Sequence, residues 1–521
     1  MHSIEVILFL YIAIAALAFF ARKLAIPYPL LLVIGGLALS RVPNLPGVTI
    51  APDYVFLVFL PPLLYHAALL TSWRDFLANL RPIALLSIGL TLFTTIVVAA
   101  VAHAAIPGFS WPVAFVLGAI ISPPDAIAAA AIAERLRVPK RIVTILEGES
   151  LVNDAIALVA YRFAVAATVG GAFSLPQATW QFLVVSIGGI AVGLVVGWIV
   201  TWVRPRVVDG SIEGMISLLT PYLAYLPAER LHLSGVLATV TCGLHVARRL
   251  PHIASPTMRI RGYAVWDSLT FLLNGLVFIL IGFELPEILQ GIGDIPTRAL
   301  VGYAALISVA AILVRLFWVF PATYLPRVIP AIRRRDPAPP FGWTFMVGWT
   351  GMRGIVSLAA ALALPEMFPH RHLILFLTFG VILATLILQG LSLPLVIKTM
   401  KVVDHGEEER DEEVAARYLT ALAAIERLDI LVKDLHAPPE IVGRVRGEYD
   451  RNLVYYSSHL GNQGTGDLDV VCDTDQKVRR EALHAERRML VKLRDDGVIG
   501  DDILRRVERE LDLEESRLES E

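Results

Sequence analysis

Up to residue 400, apolar runs follow one another with only short polar joints. Runs at 4–21, 26–42, 52–71, 82–106, 111–133, 142–168, 178–203, 211–227, 231–247, 263–284, 299–325, 341–364 and 372–397 can each cross about 30 Å of hydrocarbon, which predicts an all-α membrane protein of about thirteen spans. The eighth and ninth are the shortest, and only Pro227 to Arg230 separates them. The first run, from Ile4, lacks the basic start and cleavage site of a signal peptide and is taken as the first span. From residue 401 the pattern is that of soluble helices: Glu407 to His436, a Pro438-Pro439 break, then Glu440 to Ser457. A loop, Gly461-Asn-Gln-Gly-Thr-Gly466, leads to two further amphipathic runs; its glycines follow no strand, which favours a linker over a phosphate cradle. The chain thus divides into a membrane domain, 1–400, and a helical tail, 401–521, read as a regulatory or assembly module.

Basic residues orient the spans. With the amino terminus outside, the inner joints hold Arg22, Lys23, Arg74, Arg81, Arg135, Arg137, Lys140, Arg141, Arg204, Arg206, Arg248, Arg249, Arg259, Arg261, Arg327, Arg333, Arg334 and Arg335. The outer joints hold Arg41, Arg230, Arg298 and Arg371. Roughly eighteen against four is a strong positive-inside bias, and it places the tail in the cytoplasm. An odd span count likewise puts the termini on opposite faces.

Composition agrees: 56% hydrophobic, 18% charged, mean hydropathy +0.65. The net charge of −2 is unevenly spread, with about 30 acids and about 19 bases in residues 401–521 and roughly +9 left for the rest. Two cysteines, Cys242 and Cys472, exclude a disulfide framework and a cysteine-built metal cluster.

The chemistry lies in polar residues at membrane depth. Glu147-Gly-Glu-Ser-Leu-Val-Asn-Asp154 falls inside an apolar span. Glu149 and Asn153 are four apart, as are Ser150 and Asp154, so the two pairs occupy neighbouring strips of one helical face. A charge at mid-bilayer costs about 2.5–3.5 kcal/mol, so two acids there imply a bound cation or protons. In the fifth span, Ser122-Pro-Pro-Asp125 removes two backbone donors beside an acid; broken backbone at that depth is tolerated where it faces protein or water. In the twelfth, Gly348-Trp-Thr-Gly-Met-Arg-Gly354 sets Arg353 about twelve residues, roughly 18 Å, into its span. Arg353 needs a carboxylate at that depth, and Glu149 is the expected partner in a structural ion pair. The two interruptions stand seven spans apart, the layout of inverted repeats with a transport site between them. Asp267, seven residues before Asn274, is read as structural or interfacial, and Arg315 as a buried partner or snorkelling side chain. Trp111 and Tyr324 are read as interface anchors.

With these motifs, and with Phe271-Leu-Leu-Asn-Gly-Leu-Val-Phe-Ile-Leu-Ile-Gly282, the chain resembles the monovalent cation:proton antiporter superfamily, in the branch of bacterial NhaP-type antiporters and animal sodium/proton exchangers. The resemblance spans residues 1–400. It implies that Asp154 alternately binds a cation and a proton, that Asp125 and Ser150 help hold the metal ion (Na⁺), that Asn153 orients the site, and that Glu149 pairs with Arg353. It further implies a homodimer, a moving core with two crossed, discontinuous helices, and electroneutral exchange. Where many relatives carry an acid after Leu60-Pro-Pro-Leu-Leu-Tyr65, this chain has His66, whose imidazole titrates near neutrality; it is either a pH-sensitive element or a packed histidine.

The expected function is therefore exchange of Na⁺, Li⁺ or K⁺ for H⁺ across the inner (plasma) membrane, with no cofactor and no nucleic-acid partner. A potassium/proton antiporter of the same superfamily is the nearest alternative, although residues 401–521 lack the G-x-G-x-x-G of a dinucleotide-binding tail. A cation channel would show a repeated filter segment. An enzyme is disfavoured: two residues after Gly148-Glu-Ser150 stands Val152, not the glycine of a nucleophile elbow, and H-E-x-x-H is absent.

Overall fold

The computed structural model describes residues 2–460, apart from 25–27, 42–54, 126–128, 131, 134–135, 171–174, 208, 255, 293–294, 403–406 and 435–438, together with scattered positions beyond 460. No strand occurs among the described residues. The chain forms two compact units, Met1–Asp404 and His405–Glu521. In the second, helices Glu407–Asp434 and Pro439–Leu460 pack on each other, and Arg446 pairs with Asp429 and, at 3.8 Å, with Asp450. The Gly461–Gly466 loop, Pro438 and Cys472 lie outside the described residues.

In the first unit, five helical stretches are long and apolar enough to cross a membrane: Leu80–Ala105, Thr179–Arg206, Arg261–Gln290, Thr297–Val328 and Arg371–Thr399. Shorter apolar helices occupy Leu8–Ala21, Tyr28–Leu39, Leu57–Leu70 and Trp111–Ile121. Helix Lys140–Gly170 is long, but Glu147, Glu149, Asp154 and Arg162 interrupt its apolarity. Two expected spans are split: the run 111–133 leaves the helix after Ile121, and the run 341–364 is two helices, Phe341–Trp349 and Ile355–Leu362. The joint expected at Pro227 to Arg230 falls later. Pro227 lies within helix Gly210–Arg230, and Ser234 starts the next helix by accepting from Leu237 N at 3.2 Å.

Helices meet through small residues and carry large apolar ones outward. Tyr28–Leu39 packs against Pro256–Gln290, where a Cβ on Gly36 would strike Ile279 O and one on Gly282 would strike Val33 O. On Leu175–Val203, Trp180, Ile187, Leu194, Trp198 and Trp202 are exposed. In water such a stripe is a liability; against lipid it is the solvated face. Inside, two side-chain pairs join neighbouring elements. Arg204 donates to Glu213 at 3.0 Å, both buried, and Trp266 Nε1 to Ser217 Oγ at 3.0 Å. Where the helix widens at Leu85–Leu90, Trp318 Nε1 reaches Leu85 O at 3.0 Å, satisfying a carbonyl the widened turn displaces.

The joints sort into two groups. Arg81, Arg141 and Arg327, from three basic joints, converge on Asp336: Arg141 binds Oδ1 at 2.7 Å, Arg327 binds Oδ2 at 2.8 Å, and Arg81 also meets Oδ2. Arg141 Nε also donates to Asn79 Oδ1 at 3.0 Å. A different set of joints gathers elsewhere: Phe109 packs on His370 at 5.2 Å, and Gly291 abuts His372.

Burial alone would raise the Asp336 carboxyl. The hydrogen bonds and charges of Arg141 and Arg327 together outweigh it and hold the group below its ordinary 3.8. Its contribution to stability is complete above 3.8 and is lost as pH falls through the lower folded value. In detergent, the melting midpoint of the native protein should exceed that of Asp336→Asn at neutral pH, and the gap should close on acidification below 3.8. A gap that stays constant throughout the acid range excludes this linkage.

Candidate functional site

The site is built where two helices stop. After Ile121 the chain is non-helical through Pro123-Pro124-Asp125, and after Trp349 it is non-helical through Gly354. In a continuous helix Asp125 N would bond to Ile121 O. Here Asp125 N donates to Met352 O at 2.7 Å, and Ile121 O accepts from Arg353 Nε at 2.6 Å. Pro124 O accepts from Asn153 Nδ2 at 3.2 Å, Arg353 also donates to Gly351 O, and Arg353 N donates to Thr385 Oγ1 at 3.1 Å. Each interruption thus supplies the groups that the other lacks. The two touch closely: a Cβ on Gly354 would collide with the Asp125 carboxylate.

The expected Glu149–Arg353 pair does not form. Glu149 binds Arg315 of helix Thr297–Tyr324 through both guanidinium nitrogens, Arg315 Nη1 to Oε1 and Arg315 Nη2 to Oε2 at 2.8 Å, with side chains 2% and 1% exposed. The third nitrogen, Arg315 Nε, donates to Val347 O at 3.2 Å. The reason is the demand for donors. Arg353 sits among carbonyls that have lost their helical partners and is consumed by them, while the Glu149 strip faces Arg315.

Asp154, Ser150 and Asp125 come together along one cavity of about 280 Å³, with His66, Asn274, Ser357 and Gly354. Asn153 supports the cavity from outside, through Pro124 O. On helix Lys140–Gly170 the lining runs from Asp154 through Leu151 and Ser150 to Glu147, toward the Lys140 end. Beyond Asp154, Leu158 and Tyr161 are buried in the core. The cavity therefore extends from Asp154 toward the face where Arg141 meets Asp336. Asp154 is 7% exposed and hydrogen-bonds to no described residue. Asn274 Oδ1 and Ser357 Oγ, on two other elements, are buried without a described partner. These are oxygen donors suited to a hard cation. Asn274 stood out as an amide in an apolar run, whereas Ser357 gave no signal, since a serine in a small-residue helix is unexceptional.

His66 and Asp267 also meet. His66 Nε2 faces Asp267 Oδ1 at 3.3 Å without a hydrogen bond's alignment, and the imidazole stacks on Trp266 at 5.9 Å and 9°. His66 is buried on the cavity wall; Asp267 is 67% exposed, one turn from the lining residue Thr270.

Residues 8–399 match the family model described as sodium/hydrogen exchanger, transmembrane. This chain belongs to the sodium/hydrogen exchanger family. It is 34% identical over 503 residues to an uncharacterised Na⁺/H⁺ exchanger of Mycobacterium tuberculosis, covering 94% of this chain and 91% of that protein. It is 32% identical over 492 residues to the sodium, potassium, lithium and rubidium/H⁺ antiporter of Bacillus subtilis, covering 91% of this chain and 72% of that one. The fold is similar to that of the sodium proton antiporter MjNhaP1 from Methanocaldococcus jannaschii, with a TM-score of 0.60 at 18% identity, covering 77% of this chain and 99% of that one. As a member of this exchanger family the chain is a monovalent cation/proton antiporter of the membrane, a transporter and not an enzyme.

Removing one member of a buried ion pair strands the other. Glu149→Ala and Arg315→Ala should each destabilise the exchanger by about 3–5 kcal/mol. In a double-mutant cycle read by thermal denaturation, Glu149 should couple more strongly to Arg315 than to Arg353. Coupling to Arg353 of equal size would contradict this geometry.

Proposed function

We propose that a proton and a monovalent cation compete for Asp154, so that the exchanger moves one in each direction per cycle. The observation that carries this is the contrast with Glu149. Five residues away and equally enclosed, Glu149 is paired with Arg315, whereas Asp154 faces a cavity beside Asp125 with no cationic partner among the described residues. A charge left uncompensated at Asp154 in low dielectric is costly, so the loaded site travels and the empty one does not. Asp154, Asp125 and Ser150 supply oxygen ligands for Na⁺, joined by Asn274 and Ser357, and Asn153 holds the broken backbone in place.

In this reading about thirteen helices form two inverted repeats whose interrupted helices cross at the Asp125–Met352 contact. The amino terminus lies outside, the tail is cytoplasmic, the cavity opens inward, and the protein works as a homodimer in the inner membrane. Exchange is electroneutral. The cation is Na⁺, Li⁺ or K⁺; the name of the Bacillus subtilis relative, which includes potassium, gives a K⁺/H⁺ reading its support. His66 and Asp267 stand on the inward access route, where protonation of the imidazole would offset the carboxylate that draws cations in.

In everted vesicles, a fluorescence-dequenching assay should show cation-dependent proton movement that Asp154→Asn abolishes at unchanged expression. Exchange surviving in a well-folded Asp154→Asn protein would refute the assignment. Replacing His66 by Gln or Glu should displace the pH profile of exchange; superimposable profiles for all three proteins remove His66 from the pH response.

A further inference from the structure

The arginines around Asp336 exceed what one carboxylate can neutralise. Both of its oxygens are taken, Oδ1 by Arg141 and Oδ2 by Arg81 and Arg327, which leaves three guanidinium charges against one negative charge. The nearby acid Asp75 does not correct this, because Lys140 lies 3.9 Å from it. A surface cavity of about 460 Å³ opens beside the cluster, lined by Arg81, Ala331, Ile332, Arg334 and Asp336, so Arg334 adds a further positive charge. The charges are reachable: the side chains of Arg81 and Arg141 are 31% and 37% exposed.

What adjoins the cavity is apolar and also exposed. Leu325, Val328 and Ile329 flank Arg327 at the end of the long apolar helix Thr297–Tyr324, and Leu77 and Leu80 flank Arg81. Basic side chains next to outward apolar ones, at the end of a membrane span, fall at the depth of phospholipid headgroups. Guanidinium forks match phosphate oxygens in geometry as well as charge. We propose that this cavity binds the phosphate of an anionic lipid headgroup, with Arg81 and Arg334 as its principal ligands and the apolar rim against the acyl chains. Such a lipid would sit beside Asp336, to which helix Lys140–Gly170 is tied through Arg141 and the turn after helix Thr297–Tyr324 through Arg327. The first helix carries Asp154 and the second Arg315, so the phosphate would brace the scaffold of the ion site from the membrane surface.

The test uses the full-length protein in detergent, with melting followed by tryptophan fluorescence after addition of phosphatidylglycerol, phosphatidylcholine or inorganic phosphate. Phosphatidylglycerol should raise the midpoint well above the phosphatidylcholine value. Arg334→Gln, which removes no described ion pair, should lose more than half of that difference, and Arg81→Gln/Arg334→Gln nearly all of it. Equal shifts with the two lipids, or a full shift retained in the double variant, would overturn the site. A full shift with inorganic phosphate and none with phosphatidylglycerol would overturn the lipid as its source. None of these readouts depends on transport, so they stand or fall apart from the role given to Asp154.

Discussion

The structure depends on how backbone groups are satisfied where two helices break inside an apolar body. An amide or carbonyl left without a partner in such surroundings costs several kcal/mol, so the breaks persist only because other groups replace the lost helical bonds. Ile121 O is met by Arg353, Asp125 N by Met352 O, and Pro124 O by Asn153. Much else follows from this exchange. Because Arg353 serves carbonyls, Glu149 must find its counter-charge elsewhere, and Arg315 is buried to provide it. Because Asn153 is committed to Pro124 O, the strip of Ser150 and Asp154 is left to face the cavity.

The buried charges consequently divide into two kinds. Glu149 with Arg315, and Glu213 with Arg204, are neutralised within the protein and hold helices together. Asp154 and Asp125 share a cavity whose wall also carries Glu147, His66, Ser150, Asn274 and Ser357 among apolar side chains. A transported ion must be held by groups that can release it. A carboxylate locked into a bidentate guanidinium fork cannot do that, whereas one facing solvent-sized space can.

Much of this was legible in the sequence, for identifiable reasons. The apolar runs announce helices because a bilayer demands about twenty apolar residues in succession, and Ser122-Pro-Pro-Asp125 and Gly351-Met-Arg-Gly354 announce breaks because proline and glycine remove or weaken helical bonds. Asp154, Ser150 and Asp125 could be nominated because acids at that depth are costly. What was not legible is pairing across sequence distance. Choosing between Arg315 and Arg353 for Glu149 requires knowing which helix each strip faces, and both arginines lie at comparable depth. His66 and Asp267 were singled out separately, one for its ring and one for its charge, yet nothing in either neighbourhood says that they meet. Ser357 carried no signal at all, and the convergence of three arginines on Asp336 joins loops that only the fold brings together.

The same bonds constrain how an antiporter of this build can change shape. Asp125 N–Met352 O, Arg353–Ile121 O and Asn153–Pro124 O connect the two breaks to each other and to helix Lys140–Gly170. Gly354 lies so close to the Asp125 carboxylate that no larger residue fits between the two breaks. Unwinding this junction would strand several buried polar groups at once. Moving it as a body keeps these three bonds. The arrangement that satisfies the breaks therefore also favours a junction that moves as one piece over one that is taken apart and rebuilt.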